Sequence, residues 1–304
     1  MNDYKWKEIM TPNWDPVSFA ASCIYKDAQI FIGGWNPITN LFNSNLWKQD
    51  KKDPWEKIPI KISFSPRNGH SLSFFKDRVY LIGGFNYESK YLRDIWVLDL
   101  DNSIIEWKCI QDSPPWEGRE GHQALVFQDS LWVFGGITKS GVRNDIWASK
   151  DGINWEGDFE TPPWSPRCFH NIHLYNNKIW LIAGSSSDGA NNDMYVSKNG
   201  KNWELYDATL PFTPRFGSGV TIFDDRIWLF GGSDAKESEF FNDIWWFSEK
   251  EGWNELHINT PWKPRWGFNC VQSYLGNINL LCGGVRFPDR KYSAYADGWV
   301  LQKN

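Results

Sequence analysis

The chain has 304 residues and a formal net charge of −5, with 32 Lys and Arg against 37 Asp and Glu. This acidic balance argues against general binding to nucleic acid or to an anionic membrane, because both need a basic face. Aromatic residues make up 17% of the chain and charged residues 23%, which is typical of an ordered globular protein with a large buried core.

Targeting and metal-binding signals are missing from the sequence. The N-terminal segment MNDYKWKEIM has no apolar run of signal-peptide length, and no stretch approaches the roughly 20 apolar residues that cross a bilayer. The five cysteines are scattered and show no CxxC spacing for zinc or redox chemistry. We therefore expect a cytoplasmic protein with reduced thiols, no membrane contact, no metal and no cofactor.

Short apolar runs that end in a pair of small residues recur along the chain with a period of roughly 50 residues. A fixed period of this size is typical of solenoids and propellers, in which each repeat is one packing unit. The six runs are IFIGG (30–34), VYLIGG (79–84), LWVFGG (131–136), IWLIAG (179–184), IWLFGG (227–232) and NLLCGG (279–284).

Three further marks accompany most of these runs in a constant order. A segment such as SPRNGH (65–70) opens the unit, a triplet such as DIW (94–96) follows the small pair, and a lone Trp such as Trp107 comes later. Turn pairs such as Asp151-Gly152 lie between the last two marks and suit tight β-hairpins. Each period therefore supplies four short antiparallel strands, the content of one propeller blade.

The two ends of the chain predict how the ring closes. The sixth unit stops after DGWVLQ (297–302) without a Trp-bearing fourth strand, whereas the chain begins with YKWKEI (4–9). We predict an all-β fold with a single domain over residues 1–304. It is a six-bladed β-propeller of four-stranded antiparallel blades, and residues 4–9 supply the outer strand of blade six. Such closure removes two exposed sheet edges.

The double glycine, the Trp-bearing strands and the period together resemble the kelch repeat over the whole chain. The resemblance implies a binding scaffold in most cases and an enzyme in a minority, including sugar mutarotases that recognise an acidic sugar. We expect a monomeric recognition module that binds a protein partner or a small anionic, sugar-like ligand on its loop face. The alternative is a cofactor-independent isomerase, similar to a mutarotase, that acts at the channel mouth, since a fold does not fix a function.

An arginine that follows an aromatic residue by three positions recurs in five of the units. Its guanidinium could hold a ligand carboxylate through a bidentate contact, whereas its repetition favours structural pairing between blades. Three histidines three positions further on, His70, His122 and His170, are interpreted as making hydrogen bonds between blades rather than binding metal. The five arginines, taken as ligand-binding candidates, are Arg67, Arg119, Arg167, Arg215 and Arg265.

The position just after each arginine varies around the ring, which suits a ligand-facing mouth and equally suits a solvated site that tolerates any residue. Glu120 is its only carboxylate and Cys168 its only thiol, so these two are the catalytic candidates, for proton transfer and nucleophilic attack respectively. Asn68, Phe216 and Trp266 at the same position are ligand-binding candidates.

The loops between the small pair and the DIW-like triplet are the least alike from unit to unit. We expect them on the same face as the arginine-bearing loops. Aromatic residues and arginines dominate recognition surfaces, although ordinary exposed loop tips explain the same residues. These loops add Arg143, Arg286 and Tyr292 to the ligand-binding candidates.

Overall fold

The computed structural model describes residues 4–9, 14–50, 54–60, 63–100, 105–157, 159–272, 277–281, 283–286 and 292–303. Strands, turns and bends make up this part of the chain, and it contains no helix. Six antiparallel sheets, each built on four strands with one extra short strand in the third, follow one another along the sequence. The predicted all-β propeller with six blades is therefore confirmed.

The strands of blades 1 to 3 alternate with the turns that the sequence predicts. Blade 1 consists of Ala21–Tyr25, Ala28–Ile32, Leu46–Asp50 and Glu56–Lys57. Blade 2 consists of Ser71–Phe75, Arg78–Asn86, Lys90–Leu98 and Trp107–Gln111. Blade 3 consists of Gln123–Phe127, Ser130–Thr138, Gly141–Ser149 and Trp155–Glu156.

Blades 4 to 6 repeat this plan, except that blade 6 takes its outer strand from the start of the chain. Blade 4 consists of Asn171–Tyr175, Lys178–Ile182, Met194–Ser197 and Glu204–Asp207. Blade 5 consists of Gly219–Phe223, Arg226–Ser233, Phe240–Ser248 and Gly252–Glu255. Blade 6 consists of Asn269–Gln272, Ile278–Leu281, Gly298–Lys303 and Tyr4–Glu8.

The first strand of each blade lies innermost, because it contacts the first strands of both neighbouring blades. On the loop face, the second and third strands of several blades continue into short hairpins. Three of these form separate two-stranded ladders, namely Trp35–Asn36 with Leu41–Phe42, Ser185–Ser186 with Gly189–Ala190, and Gly284–Arg286 with Tyr292–Ala294. In blade 3 the strand Arg119–Glu120 also pairs with the second strand.

The N-terminal strand closes the ring as predicted. It pairs antiparallel with Gly298–Lys303, and Trp6 lies opposite Leu301 in the register. The Tyr4 hydroxyl donates to the carboxylate of Asp224 in blade 5 over 2.8 Å. Blade 6 is thus complete without an open seam, which protects its strand edges from pairing with other chains.

A ring of backbone hydrogen bonds surrounds the channel at the loop-face end of the inner strands. One residue of each blade donates its N–H to the carbonyl oxygen of the equivalent residue in the preceding blade, over N–O distances of 2.6 to 3.1 Å, and the bond from blade 1 to blade 6 closes the cycle. All six residues have φ between 49° and 63°, a region that favours glycine. The six residues are Phe19, Gly69, Gly121, Phe169, Gly217 and Gly267.

Candidate functional site

Two phenylalanines close the channel beneath the loop face. Phe19 and Phe169 occupy the hydrogen-bonded ring in blades 1 and 4, which lie opposite each other, and their ring centroids are 4.8 Å apart. A Cβ added to Gly121 would lie 3.0 Å from the Phe169 ring, and one added to Gly267 would lie 2.9 Å from the Phe19 ring. Glycine is therefore needed beside each phenyl ring for the two side chains to fit.

Above this pair lies a cavity of about 240 Å³ that opens on the loop face. We call it the loop-face cup. Its floor is formed by Phe19 and Phe169, and its walls are mainly aromatic. The other lining residues are Trp35, Phe42, Asn68, Phe85, Tyr87, Glu120, Phe216, Glu237, Trp266 and Tyr292.

Contacts between loops of four blades hold the rim of the cup in place. Asn40 Oδ1 in blade 1 accepts hydrogen bonds from the Tyr87 hydroxyl of blade 2 and from the Trp35 indole, over 2.8 and 3.1 Å. Trp35 packs edge-on against Tyr292 of blade 6, with centroids 5.3 Å apart. The Tyr292 hydroxyl donates to Glu237 of blade 5 over 3.2 Å. The rim is thus continuous from blade 2 through blades 1 and 6 to blade 5.

Glu120 brings a carboxyl group from blade 3 into the cup. Its Oε2 lies against Gly69, where an added Cβ would be 3.0 Å away. Burial raises the pKa of Glu120 to about 7, because the ionised carboxylate loses its hydration and no nearby charge compensates for that loss. An elevated carboxyl pKa in a concave site is typical of functional groups.

Asn68 supplies a second acceptor in the cup. Its backbone is fixed by two hydrogen bonds with Phe85, over 2.9 and 3.1 Å, and its side chain is 8% exposed. The side-chain Oδ1 is buried and has no hydrogen-bond partner among the described residues. A buried acceptor without a donor is costly, so it points to a donor that a ligand would bring.

The five repeated arginines lie beneath the surface and form ion pairs within their own blades. Their relative exposures are 3% or less, and each guanidinium contacts an aspartate of the DIW-like triplet over 2.5 to 2.7 Å. The partner lies in the same blade rather than in the next one. The pairs are Arg67–Asp94, Arg119–Asp145, Arg167–Asp193, Arg215–Asp243 and Arg265–Asp297.

Each arginine side chain also donates a hydrogen bond to a backbone carbonyl oxygen. In blade 2, for example, Arg67 Nη1 also donates to the carbonyl oxygen of Gly83, over 2.9 Å. Blade 1 has Val17 in place of the arginine and Asn45 in place of the aspartate, so both members of the ion pair change together. With their donors committed in this way, we leave the five arginines out of the proposed binding contacts.

Of the two other candidate arginines, one forms an ion pair and the other is described only by its backbone. Arg143 donates to Glu117 over 2.7 Å, and that carboxylate also accepts from Thr138 and Ser140. These donors lower the pKa of Glu117 to about 2. The backbone of Arg286 lies in a strand beside the Tyr292 strand, while its side chain lies outside the described part of the structure.

Cys168 and the three histidines are buried under the cup. Burial raises the pKa of Cys168 to about 12, so its thiol stays protonated at neutral pH and does not supply the thiolate that attack requires. His122 Nε2 lies 3.0 Å from Ser71 Oγ of blade 2, which is the predicted hydrogen bond between blades for this histidine, whereas neither ring nitrogen of His170 has a hydrogen-bond partner among the described residues. Burial lowers the pKa of His70 and His170 to about 3, so both rings are neutral.

Among the described residues, no group of three or more His, Cys, Asp or Glu side chains could hold a metal ion. The same part of the chain has no helix that is long and apolar enough to span a bilayer.

The structure brings together Asn68, Glu120, Phe216, Trp266 and Tyr292, which were selected from the sequence, in one cavity. The sequence interpretation missed other residues that line the same cavity. Two of them, Phe19 and Phe169, could have been found from the sequence, because they replace glycine at a fixed position of the repeat. The missed residues are Phe19, Phe42, Phe85, Phe169 and Glu237.

Comparison with known families identifies the repeat. The model of the KLHDC2/KLHL20/DRC7 Kelch-repeats domain matches residues 18–204, more than half of the chain, and the Kelch motif matches residues 214–252. These matches cover blades 1 to 5, and the repeat marks of blade 6 follow the same plan.

Curated relatives share the repeat over part of their length. An F-box/kelch-repeat protein of Arabidopsis thaliana is 30% identical over 170 residues, which is 51% of this chain and 34% of the relative. Adagio-like protein 3 of Oryza sativa subsp. japonica is 28% identical over 127 residues, 40% of this chain and 20% of the relative. Host cell factor 2 of Homo sapiens is 32% identical over 123 residues, 34% and 14% respectively. The alignments thus span about a third or less of these relatives.

Proposed function

Because the chain belongs to the kelch-repeat β-propeller family, we propose that it is a protein-interaction module whose loop-face cup receives a side chain of its partner. The cup is the observation that carries this proposal. It is an aromatic cavity on a rigid scaffold, which is the usual setting of an interface hot spot. The proposal retains the expected cytoplasmic location and monomeric state.

The size and shape of the cup favour a side chain over a whole metabolite. Its volume of about 240 Å³ is below the roughly 300–1,000 Å³ of pockets that enclose drug-sized ligands. Exposed apolar residues on the neighbouring loop of blade 1, Ile38 at 61% and Leu41 at 66% exposure, extend the contact surface beyond the rim. A partner segment can therefore insert one side chain and lie across the loops beside it.

A random peptide library displayed on phage tests this proposal. We expect enriched peptides to bind the wild-type chain and to lose at least tenfold in affinity when the rim is changed by Tyr87→Ala. The matched control is Tyr206→Ala, which removes an equally exposed tyrosine (43% against 47%) from the outer strand of blade 4. Equal loss in both variants, or no enriched peptide that depends on Tyr87, would contradict the proposal.

An isomerase acting at the channel mouth is the second candidate, and Glu120 is the observation that favours it. A carboxyl group with a pKa of about 7 suits proton transfer near neutral pH. An acidic sugar would also need a cation to hold its carboxylate, and the arginines beneath the cup are paired with aspartates. Saturation-transfer NMR with acidic and neutral sugars tests this alternative. An isomerase requires that a sugar binds in the cup and that its anomers exchange, and Glu120→Gln should abolish this exchange.

A further inference from the structure

Oxygen acceptors are prominent among the described side chains that line the cup. They include the carboxylates of Glu120 and Glu237, of which the second accepts from Tyr292 over 3.2 Å, and this described lining includes no lysine or arginine. Asn68 Oδ1 adds an acceptor that lacks a donor. Oxygen acceptors set among aromatic faces attract a cation that carries several N–H donors, because aromatic faces themselves are negative.

We propose that the loop-face cup binds an arginine side chain of the partner, with Glu120 as its counter-ion and Asn68 as a further acceptor. This inference rests on the proposed function and names the chemistry of the same site. It replaces the anionic ligand expected from the sequence with a cationic one.

A guanidinium fits this cavity better than an ammonium does. It is planar, so it stacks on aromatic side chains, and Phe85, Phe216 and Trp266 line the walls. It is also more weakly hydrated than the lysine ammonium, so entry into an apolar cavity costs less. Its five N–H donors can serve the Glu120 carboxylate and Asn68 at the same time.

Glu120 is a buried carboxyl group that has no cationic partner among the described residues. In the part of the chain that the structure describes, the Tyr91 phenol and the Cys168 thiol interact electrostatically with it, and burial raises the pKa of both, so they are neutral near pH 7. Its chain neighbour Arg119 is engaged by Asp145. A guanidinium at Glu120 would restore the ionised carboxylate, which gives the binding a favourable term that an uncharged side chain cannot supply.

Two blocked amino acids make the test direct. N-acetyl-arginine amide and N-acetyl-citrulline amide have nearly the same shape, but the second replaces the guanidinium with a neutral urea. Chemical-shift titrations of the full chain should show at least tenfold tighter binding of the arginine probe. Glu120→Gln should remove this preference, since it keeps the shape of the side chain and deletes the charge. Glu117→Gln, which changes a carboxylate outside the cup, should leave it unchanged.

Other results overturn the inference. These are equal binding of the citrulline probe, preference for N-acetyl-lysine amide or an acidic probe, or an unchanged preference in Glu120→Gln. The library selection separates this failure from failure of the proposed function. Peptides that depend on Tyr87 but contain no arginine would contradict the arginine inference and support the recognition site. If no enriched peptide of any composition depended on Tyr87, the recognition site itself would be contradicted.

Discussion

The phenyl rings of Phe19 and Phe169, which come from opposite blades, lie with their centroids 4.8 Å apart across the channel. Both residues have a left-handed backbone, with φ of 55° and 49°, where the other four blades have glycine. The chain therefore accepts backbone strain at two places in the ring, and the result is a floor beneath the cup. Strain that persists only where the surroundings enforce it is commonly found at functional sites.

Replacing Phe169 tests whether the backbone is strained at this position. Phe169→Gly removes the ring and relieves the strained φ, whereas Phe169→Ala removes the ring and keeps the strain. We expect the glycine variant to be the more stable of the two by about 1 kcal/mol, which reverses the usual order of alanine and glycine. Urea unfolding of both variants measures the difference, and an alanine variant of equal or greater stability would contradict it.

The buried ion pairs should be strongly coupled. Asp193→Asn leaves the fully buried guanidinium of Arg167 without its counter-ion and should cost about 3–5 kcal/mol. Adding Arg167→Val should recover part of this loss, because the charge is then absent, as it is in blade 1 with Val17 and Asn45. Unfolding free energies of the single and double variants decide the point. A double variant no more stable than Asp193→Asn would mean that the pair is not the source of the cost.

The first glycine of the small pair should be coupled to a histidine of the next blade. A Cβ on Gly33 would lie 2.4 Å from Cε1 of His70, so Gly33→Ala should cost about 1–3 kcal/mol by overpacking. The cost should fall when His70 is changed to Ser. Blade 4 shows this combination naturally, with Ala183 at the glycine position and Ser218 at the histidine position of blade 5. A double-mutant cycle checks it, and identical costs in the two backgrounds would refute the coupling.

Glu120 should make the stability of the fold depend on pH. Its pKa is about 7 in the folded chain against 4.5 for the ordinary group, so the folded state holds the proton more tightly. Stability is therefore lost as the pH rises from about 4.5 to 7, by at most about 3 kcal/mol. Glu120→Gln should be more stable than the wild type at pH 8.5 and equal to it near pH 4.5. Urea unfolding at both values measures this, and a difference that does not change with pH would disprove it.

The fold could be predicted from the sequence because every blade packs in the same way and therefore repeats the same sequence marks. The closing strand was predictable for the same reason, since Trp6 supplies the mark that blade 6 lacks. The pairing of Arg67 with Asp94 was not predicted, because the two residues belong to marks that were interpreted separately.

Most of the predicted site residues follow the repeat, and Tyr292 is the one taken from a variable loop. Asn68 and Glu120 were found because they occupy the variable position beside the arginine. Glu237 comes from the blade 5 loop, whose sequence differs from those of the corresponding loops, and only tertiary packing places it in the cup. The arginines that suggested an anionic ligand are paired with aspartates within their own blades, so they do not support that ligand, which stays a prediction.

The measurement that tests the central claim most directly is a crystal structure of the chain with the tightest peptide from the library. The account predicts that an arginine of the peptide lies in the loop-face cup, between Phe85 and Trp266, with its guanidinium at the Glu120 carboxylate. A peptide bound to the outer strands or to the opposite face, with the cup unoccupied, would contradict the claim that this cavity is the recognition site.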